Sequence, residues 1–404
     1  MTIDPHSDTN PEPARHLPSR VVRDRPLPGT HENQPDRARA AERCPSPAGL
    51  PRRRPAAASQ NSAAPSLDAI PQPDLLGWAL AETLADSGET VVVAEGDKLK
   101  SLGKLDRTRI AQSRRASAAI SALVHQCLAT RKRQYRDIPG THPLAVHVVP
   151  AVGPSGAVLA VQLWAGTASQ KPPQRGPVGT VEWDAATGVA ELNTALERQL
   201  GIPAPLSRPH YTLPDLLSHI DGFDDFLGFL DLFDRASTVD RWVGTVTTPG
   251  RFSMIRRHLR IVARVHFESG NRRVRAIVHD ITTMQPPPPP HVDSVTLAGY
   301  PTSSTNAIAR IDLGTGLINR WICLSPGTLE PWAYQNPEID TDGTADIARC
   351  CAQLHRGATT ATADLRIRFA HSNTWIPVHA EWIALPEARR PQALVVLVPG
   401  VPGT

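Results

Sequence analysis

Lysine is nearly missing from this 404-residue chain, occurring only at positions 98, 100, 104, 132 and 171. Positive charge is therefore almost all arginine. With abundant alanine and proline, this is the mark of codon bias in a high-GC genome, and it weakens any link from arginine to phosphate recognition. The net charge is only +4. Scattered arginines without a recognition-helix unit give no case for a nucleic-acid partner. Cysteine is also sparse. Thiols at 44, 127, 323, 350 and 351 are odd in number and widely spaced. They form no disulfide framework and no Cys-x-x-Cys zinc pattern, and they suit a reducing compartment. No apolar run approaches the roughly 20 residues of a membrane-spanning helix, so no membrane is expected. The opening MTIDPHSDTNPEP lacks the basic and apolar regions of a signal peptide, so a cytoplasmic location is expected. Walker, Gly-x-Ser-x-Gly, His-Glu-x-x-His and kinase glycine-rich motifs are missing too, and no enzyme is expected.

Proline is what the chain has in excess, 40 in all, and it marks the breaks. Residues 1–73 are rich in Pro, Arg, Ala and Ser, cannot bury enough apolar surface to offset ordering entropy, and are predicted to be a disordered tail. SQKPPQRGP (169–177) reads as a linker and QPPPPPH (285–291) as a stiff polyproline spacer. The breaks predict domains at 74–168, 178–284 and 292–404, each near the common domain size.

The three pieces echo one another. Each ends in two Val- and Ile-rich runs joined by a short turn, as in HLRIVARVHFESGNRRVRAIVHDIT (258–282), the pattern of a hairpin. Two of them open with Asp-x-x-Thr-Gly, at 184–188 and 312–316. The aspartate there can cap the turn and the glycine supplies a positive φ. Between the hairpins lie helical patterns at 105–134, 212–237 and 344–357. A duplicated module is expected.

The order of strand, Thr-Gly turn, strand, short helices and three closing strands resembles a PAS domain. In the second piece the resemblance rests on Asn193, Ala195, Leu200 and Gly201 within GVAELNTALERQLGIP, and on the ending AIVHDIT (276–282). It extends less fully to the third piece, while the first is similar to either a PAS or a GAF domain. The resemblance is to tandem PAS sensory proteins of high-GC actinobacterial type. It implies an α+β fold of tandem PAS/GAF-like modules, each a five-stranded antiparallel sheet with helices on one face. It also implies a non-enzymatic signalling or sensor protein that binds a small ligand or a protein partner. The partners it admits are a small apolar ligand, a kinase or regulator, or a second copy of the chain.

The ligand surface is expected in the second module. Phe223, Phe226, Phe229, Leu230 and Phe233 would line its helical side, and Trp183, Val246 and Ile261 its sheet side. Plain core is the alternative for the same residues, and it is how apolar stripes usually behave. An apolar cavity of roughly 300 Å³ or more would favour ligand sensing, and side chains at ordinary core density would favour an assembly role. No cofactor is expected. The Asn-Cys-Arg context of light-sensing flavin domains is missing. His219 is a lone helical histidine, and His258, His266 and His279 lie without metal spacing. Cys350-Cys351 beside Arg349 is a redox candidate only if a thiolate is stabilised. Arg114-Arg-Ala-Ser117 matches a basophilic kinase site by chance-level pattern alone.

Overall fold

Runs in which every second residue is buried frame the molecule. In Thr360–Arg368 exposed and buried positions alternate along the strand, the period of a pleated sheet with one wet face. The computed structural model describes residues 77–400, apart from 112, 140–142, 251–254, 290–305, 325, 371 and 387–388. The tail expected at 1–73, and residues 290 and 291 of the proline spacer, lie outside the described residues.

The first module contains β1 (Ala79–Glu82), β2 (Val91–Glu95), β3 (Lys98–Lys104), α1 (Arg114–Thr130), β4 (Gln134–Ile138), β5 (Leu144–Val152) and β6 (Val158–Thr167). The second contains β7 (Val178–Asp184), β8 (Ala190–Leu192), α2 (Thr194–Leu200), α3 (Leu213–Ser218), β9 (Gly222–Phe223), α4 (Phe226–Leu230), β10 (Arg241–Thr247), β11 (His258–Glu268) and β12 (Asn271–Asp280). The third contains β13 (Ala307–Asp312), β14 (Ile318–Cys323), β15 (Glu338–Ile339), α5 (Thr341–His355), β16 (Thr360–Arg368), β17 (Ile376–Leu385) and β18 (Gln392–Pro399). The sheet orders are β3-β2-β1-β6-β5-β4, β8-β7-β12-β11-β10-β9 and β14-β13-β18-β17-β16-β15. The second and third are the same arrangement, and in all three the first and last strands of the module pair at the centre.

The expected five-stranded sheets with helices on one face are not what forms. The described residues are mostly β, with three six-stranded antiparallel sheets and few helices among them. The reason is clearest at 212–237, which the apolar spacing predicted as helical. Thr212 and Asp225 cap two short helices by accepting from the Asp215 and Gly228 amides, as polar residues at such positions do. Between them Gly222 joins the sheet. Its missing side chain matters, since a Cβ would stand 2.5 Å from Thr247 Oγ1. The flanking Asp221 and Asp224 amides donate to the Thr247 and Thr245 carbonyls, so backbone pairing with β10 replaces helix. The pattern at 105–134 likewise yields a helix only from Arg114, capped by Ser113, after two short 3-10 turns.

The second sheet is buried on both faces. Along β11, Leu259, Ile261 and Ala263 join the core under the module's own helices, while Val262 turns the other way. There it meets Leu80, Val93 and Ala160 of the first sheet, as Ile277 of β12 does. Polar ties cross the same seam. Arg260 donates to the Val93 and Lys100 carbonyls at 3.1 and 2.9 Å. Glu182 accepts from the Ser155 hydroxyl at 2.7 Å and pairs with Arg275 at 3.2 Å. Glu82, fully buried, pairs with Arg241 at 2.8 Å and lies 3.8 Å from Arg264. Burial raises the Glu82 carboxyl above its usual range, against the lowering effects of the Leu84 amide and of both arginines.

Asp280 closes β12. It accepts from the Thr282 amide and hydroxyl at 3.0 and 2.5 Å and from Arg257 at 2.6 Å. Burial would raise its carboxyl, yet these partners hold it below the usual carboxylate range.

Removing one member of a buried pair strands the other charge, at a cost of roughly 3–5 kcal/mol. Glu82→Ala should therefore lower the unfolding free energy by about that much in urea titration. Joint replacement of Glu82 and Arg241 by methionine should cost far less. Equal losses in the two proteins would show that packing, and not charge pairing, holds this seam.

Candidate functional site

The aromatic residues of the second module gather because β7, β9, β10 and α4 converge. Trp183 lies 5.6 Å from Phe229 and 5.9 Å from Phe233, centroid to centroid, and Phe223 lies 5.4 Å from both Phe226 and Trp242. Most of these pairs are edge-on, the arrangement ring quadrupoles favour. Trp183, Phe223, Phe229, Val246 and Ile261 line a cavity together with leucines of α2 and α3. Leu230 and Phe233 are buried in the core and do not line it. Phe226 does not line it either, and instead carries the Arg310 guanidinium of the third module 5.1 Å above its ring. The cavity is wholly apolar and about 40 Å³ in volume. That is far below the roughly 300 Å³ at which small-molecule pockets begin.

A second space is much larger. A cleft of about 910 Å³ opens between the second and third modules. One wall is α5, through Thr344, Ile347, Ala348, Cys351, Ala352 and His355, a single helical stripe. Another is the β13–β14 turn from Leu313 to Ile318, and the second module contributes Ala186, Thr187, Leu213, Pro214, Asp234 and Ala236. Both Asp-x-x-Thr-Gly turns thus border it. Asp184 accepts from the Thr187 amide and hydroxyl, and Asp312 from those of Thr315. Gly188 and Gly316 sit at φ +68° and +72°, which glycine adopts without strain.

The two modules are locked beside this cleft by one arginine. Arg390 donates to Asp312 at 2.5 and 3.0 Å, to Asp234 at 2.9 Å, and to Asp231. Burial would lower its guanidinium, but the hydrogen bonds and charge of Asp312, then of Asp234, hold it above its ordinary value. Lesser ties repeat the contact. Thr212 donates to the Ala333 carbonyl at 3.0 Å, Asn336 to the Thr187 carbonyl at 2.7 Å, and Arg208 lies 4.8 Å over the Tyr334 ring.

The other candidate groups occupy structural positions. His219 ends α3, half-buried, and does not line the small cavity. The His258 ring lies 3.0 Å from the Gln285 carbonyl, His266 pairs with Asp86, and burial lowers His279 below its usual value. Burial raises the Cys350 thiol, which contacts the Thr362 carbonyl at 3.4 Å, and pushes Cys351 to about 11. Neither cysteine is poised as a thiolate near neutral pH. Ser117 sits in the first turn of α1.

Residues 77–174 match the family described as Rv3651-like, N-terminal. Among solved structures, the chain is similar to an uncharacterized protein from Mycobacterium tuberculosis, with a TM-score of 0.63 and 21% identity, covering 80% of this chain and 96% of that one. This likeness concerns the fold alone. A sensory box histidine kinase/response regulator from Burkholderia thailandensis gives a TM-score of 0.22 at 16% identity, over 27% of this chain and 79% of that one. An RNA-binding light-oxygen-voltage receptor also gives 0.22, at 11% identity, over 55% and 95%. At those scores neither bears on function. No curated protein matches the chain.

Arg390→Ala would leave the fully buried Asp312 carboxylate without its cation. A loss of roughly 3–5 kcal/mol in unfolding free energy is expected, with faster amide exchange at both 184–188 and 312–316. Faster exchange at 312–316 alone would show that the arginine organises only its own module.

Proposed function

We propose that this chain is a non-catalytic binding protein of the sensor class, and that its small-molecule site is the cleft between the second and third modules. The observation that carries this reading is the contrast in volume, about 910 Å³ in the cleft against about 40 Å³ in the second module's aromatic pocket. The larger space falls within the range that takes up metabolite-sized ligands, and its mix of apolar walls and a few polar groups is the usual make-up of such sites. The sensor class is supported by the resemblance of 178–284 to PAS domains at Asn193, Leu200-Gly201 and Asp280-Ile-Thr. A non-catalytic role is supported by the protonated cysteines and by the prior engagement of the cleft's acids and hydroxyls. On this reading the phenylalanine cluster is core that stiffens one wall of the site. A protein partner, a kinase or regulator, would read the relative setting of the two modules.

A scaffold role is the second reading, favoured by the nearly filled pocket of the second module. The two are separated by native mass spectrometry of the full chain. A small molecule retained by the wild type, released by Ala348→Trp and kept by Val246→Ile is the expected result. The first variant fills the cleft from an exposed helical position, and the second adds one methyl group to the apolar pocket. Loss of the molecule in Val246→Ile alone would return the site to the aromatic pocket. No retained molecule, and no binding in a metabolite screen, would leave the scaffold reading.

A further inference from the structure

The cleft's polar groups differ in whether they are already used. Thr187 and Thr315 donate to the aspartates of their own turns, and Thr344 to the Asp340 carbonyl at 3.0 Å. Asn336 is bound to Thr187, and Asp234 to Arg390. His355 and Arg356, at the C-terminal end of α5, are exposed and have no side-chain hydrogen bond or ion pair among the described residues. The free polarity of the lining is thus concentrated at one end and includes a permanent positive charge. The stripe leading to it, from Thr344 to His355, is about 16 Å long at 1.5 Å per residue, and its middle is Ile347, Ala348, Cys351 and Ala352.

A groove with an apolar floor and one unpaired guanidinium at its end matches a ligand of the same polarity. We infer that the cleft takes a single-chain amphiphile with a carboxylate head, its chain along the α5 stripe and its head on Arg356. A planar guanidinium pairs with a carboxylate through two parallel hydrogen bonds, which favours this head over a neutral hydroxyl or a cation. The competing explanation is that Arg356 only offsets the negative end of the helix dipole, a stabilising effect that involves no ligand. A dipole role would appear in the stability of the free protein and leave probe affinity unchanged.

This inference rests on the cleft being the binding site, and the test keeps the two apart. Dodecanoate and dodecanol, each below its aggregation limit, are titrated calorimetrically into the full chain and into Arg356→Ala, Arg356→Lys and Ala348→Trp, with melting curves to confirm folding. The expected result is tighter binding of dodecanoate than of dodecanol by the wild type. Arg356→Ala should weaken dodecanoate roughly ten- to a hundredfold, the range for a charge-assisted hydrogen bond, with little change for dodecanol. Arg356→Lys should recover part of the loss, and Ala348→Trp should abolish both. Equal affinity for the two probes, or dodecanoate binding indifferent to Arg356, overturns the carboxylate assignment and leaves the cleft standing if Ala348→Trp still abolishes binding. Binding unaffected by Ala348→Trp overturns the cleft itself. Failure of both probes to bind the wild type while other metabolites bind overturns the amphiphile only.

Discussion

One guanidinium joins the two halves of the repeat. Arg390 is drawn from the third module, and its carboxylate partners come from both modules, Asp312 on one side and Asp231 and Asp234 on the other. Asp312 is at once the cap of its own turn and a member of this cluster, so turn geometry and module contact are set by the same side chain. Burying these charges costs desolvation, which their mutual attraction and hydrogen bonds offset. The cleft lies against this cluster, and its shape therefore depends on the cluster remaining intact.

The other seam is built differently. Between the first and second sheets the contact is mostly apolar, with Leu80, Val93, Ala160, Val262 and Ile277 in one cluster. Arginines reach across it to carbonyls and acids. A sheet buried on both faces gains stability from each, but it must place polar residues opposite partners on the outer side. Arg260, Arg264 and Arg275 do this at alternate positions of β11 and β12, where a solvated strand would carry ordinary surface residues. β12 finishes on a carboxylate because Asp280 satisfies the backbone amide and hydroxyl of Thr282, two places on.

The large cleft and the small pocket differ in the side chains that wall them. In the second module, leucines of α2 and α3 and the phenylalanines at Phe223 and Phe229 fill the space against the sheet almost completely. In the third module α5 presents a narrower stripe of alanine, cysteine and isoleucine, and the space beside it stays open, roofed by the second module. Small side chains leave volume that large ones occupy, and this difference in residue size distinguishes a packed core from a receptive groove.

Local chemistry was readable from the order of residues alone. The Asp-x-x-Thr-Gly turns and the Val- and Ile-rich hairpins each depend on neighbours within a few positions, and Asp184, Asp312, Gly188 and Gly316 act as that spacing implies. Five of the eight residues picked for the second module meet around one cavity, since apolar periodicity reports which side chains turn inward. The sixth strand of the second and third sheets was not readable. β9 and β15 are two residues long and become strands only because a sheet edge offers them backbone partners. Nor was free volume, which is what remains after every side chain has packed and is written at no single position. The cleft was the least accessible of all, because its walls run from Ala186 to Arg356 and come from two sheets that Arg390 ties together.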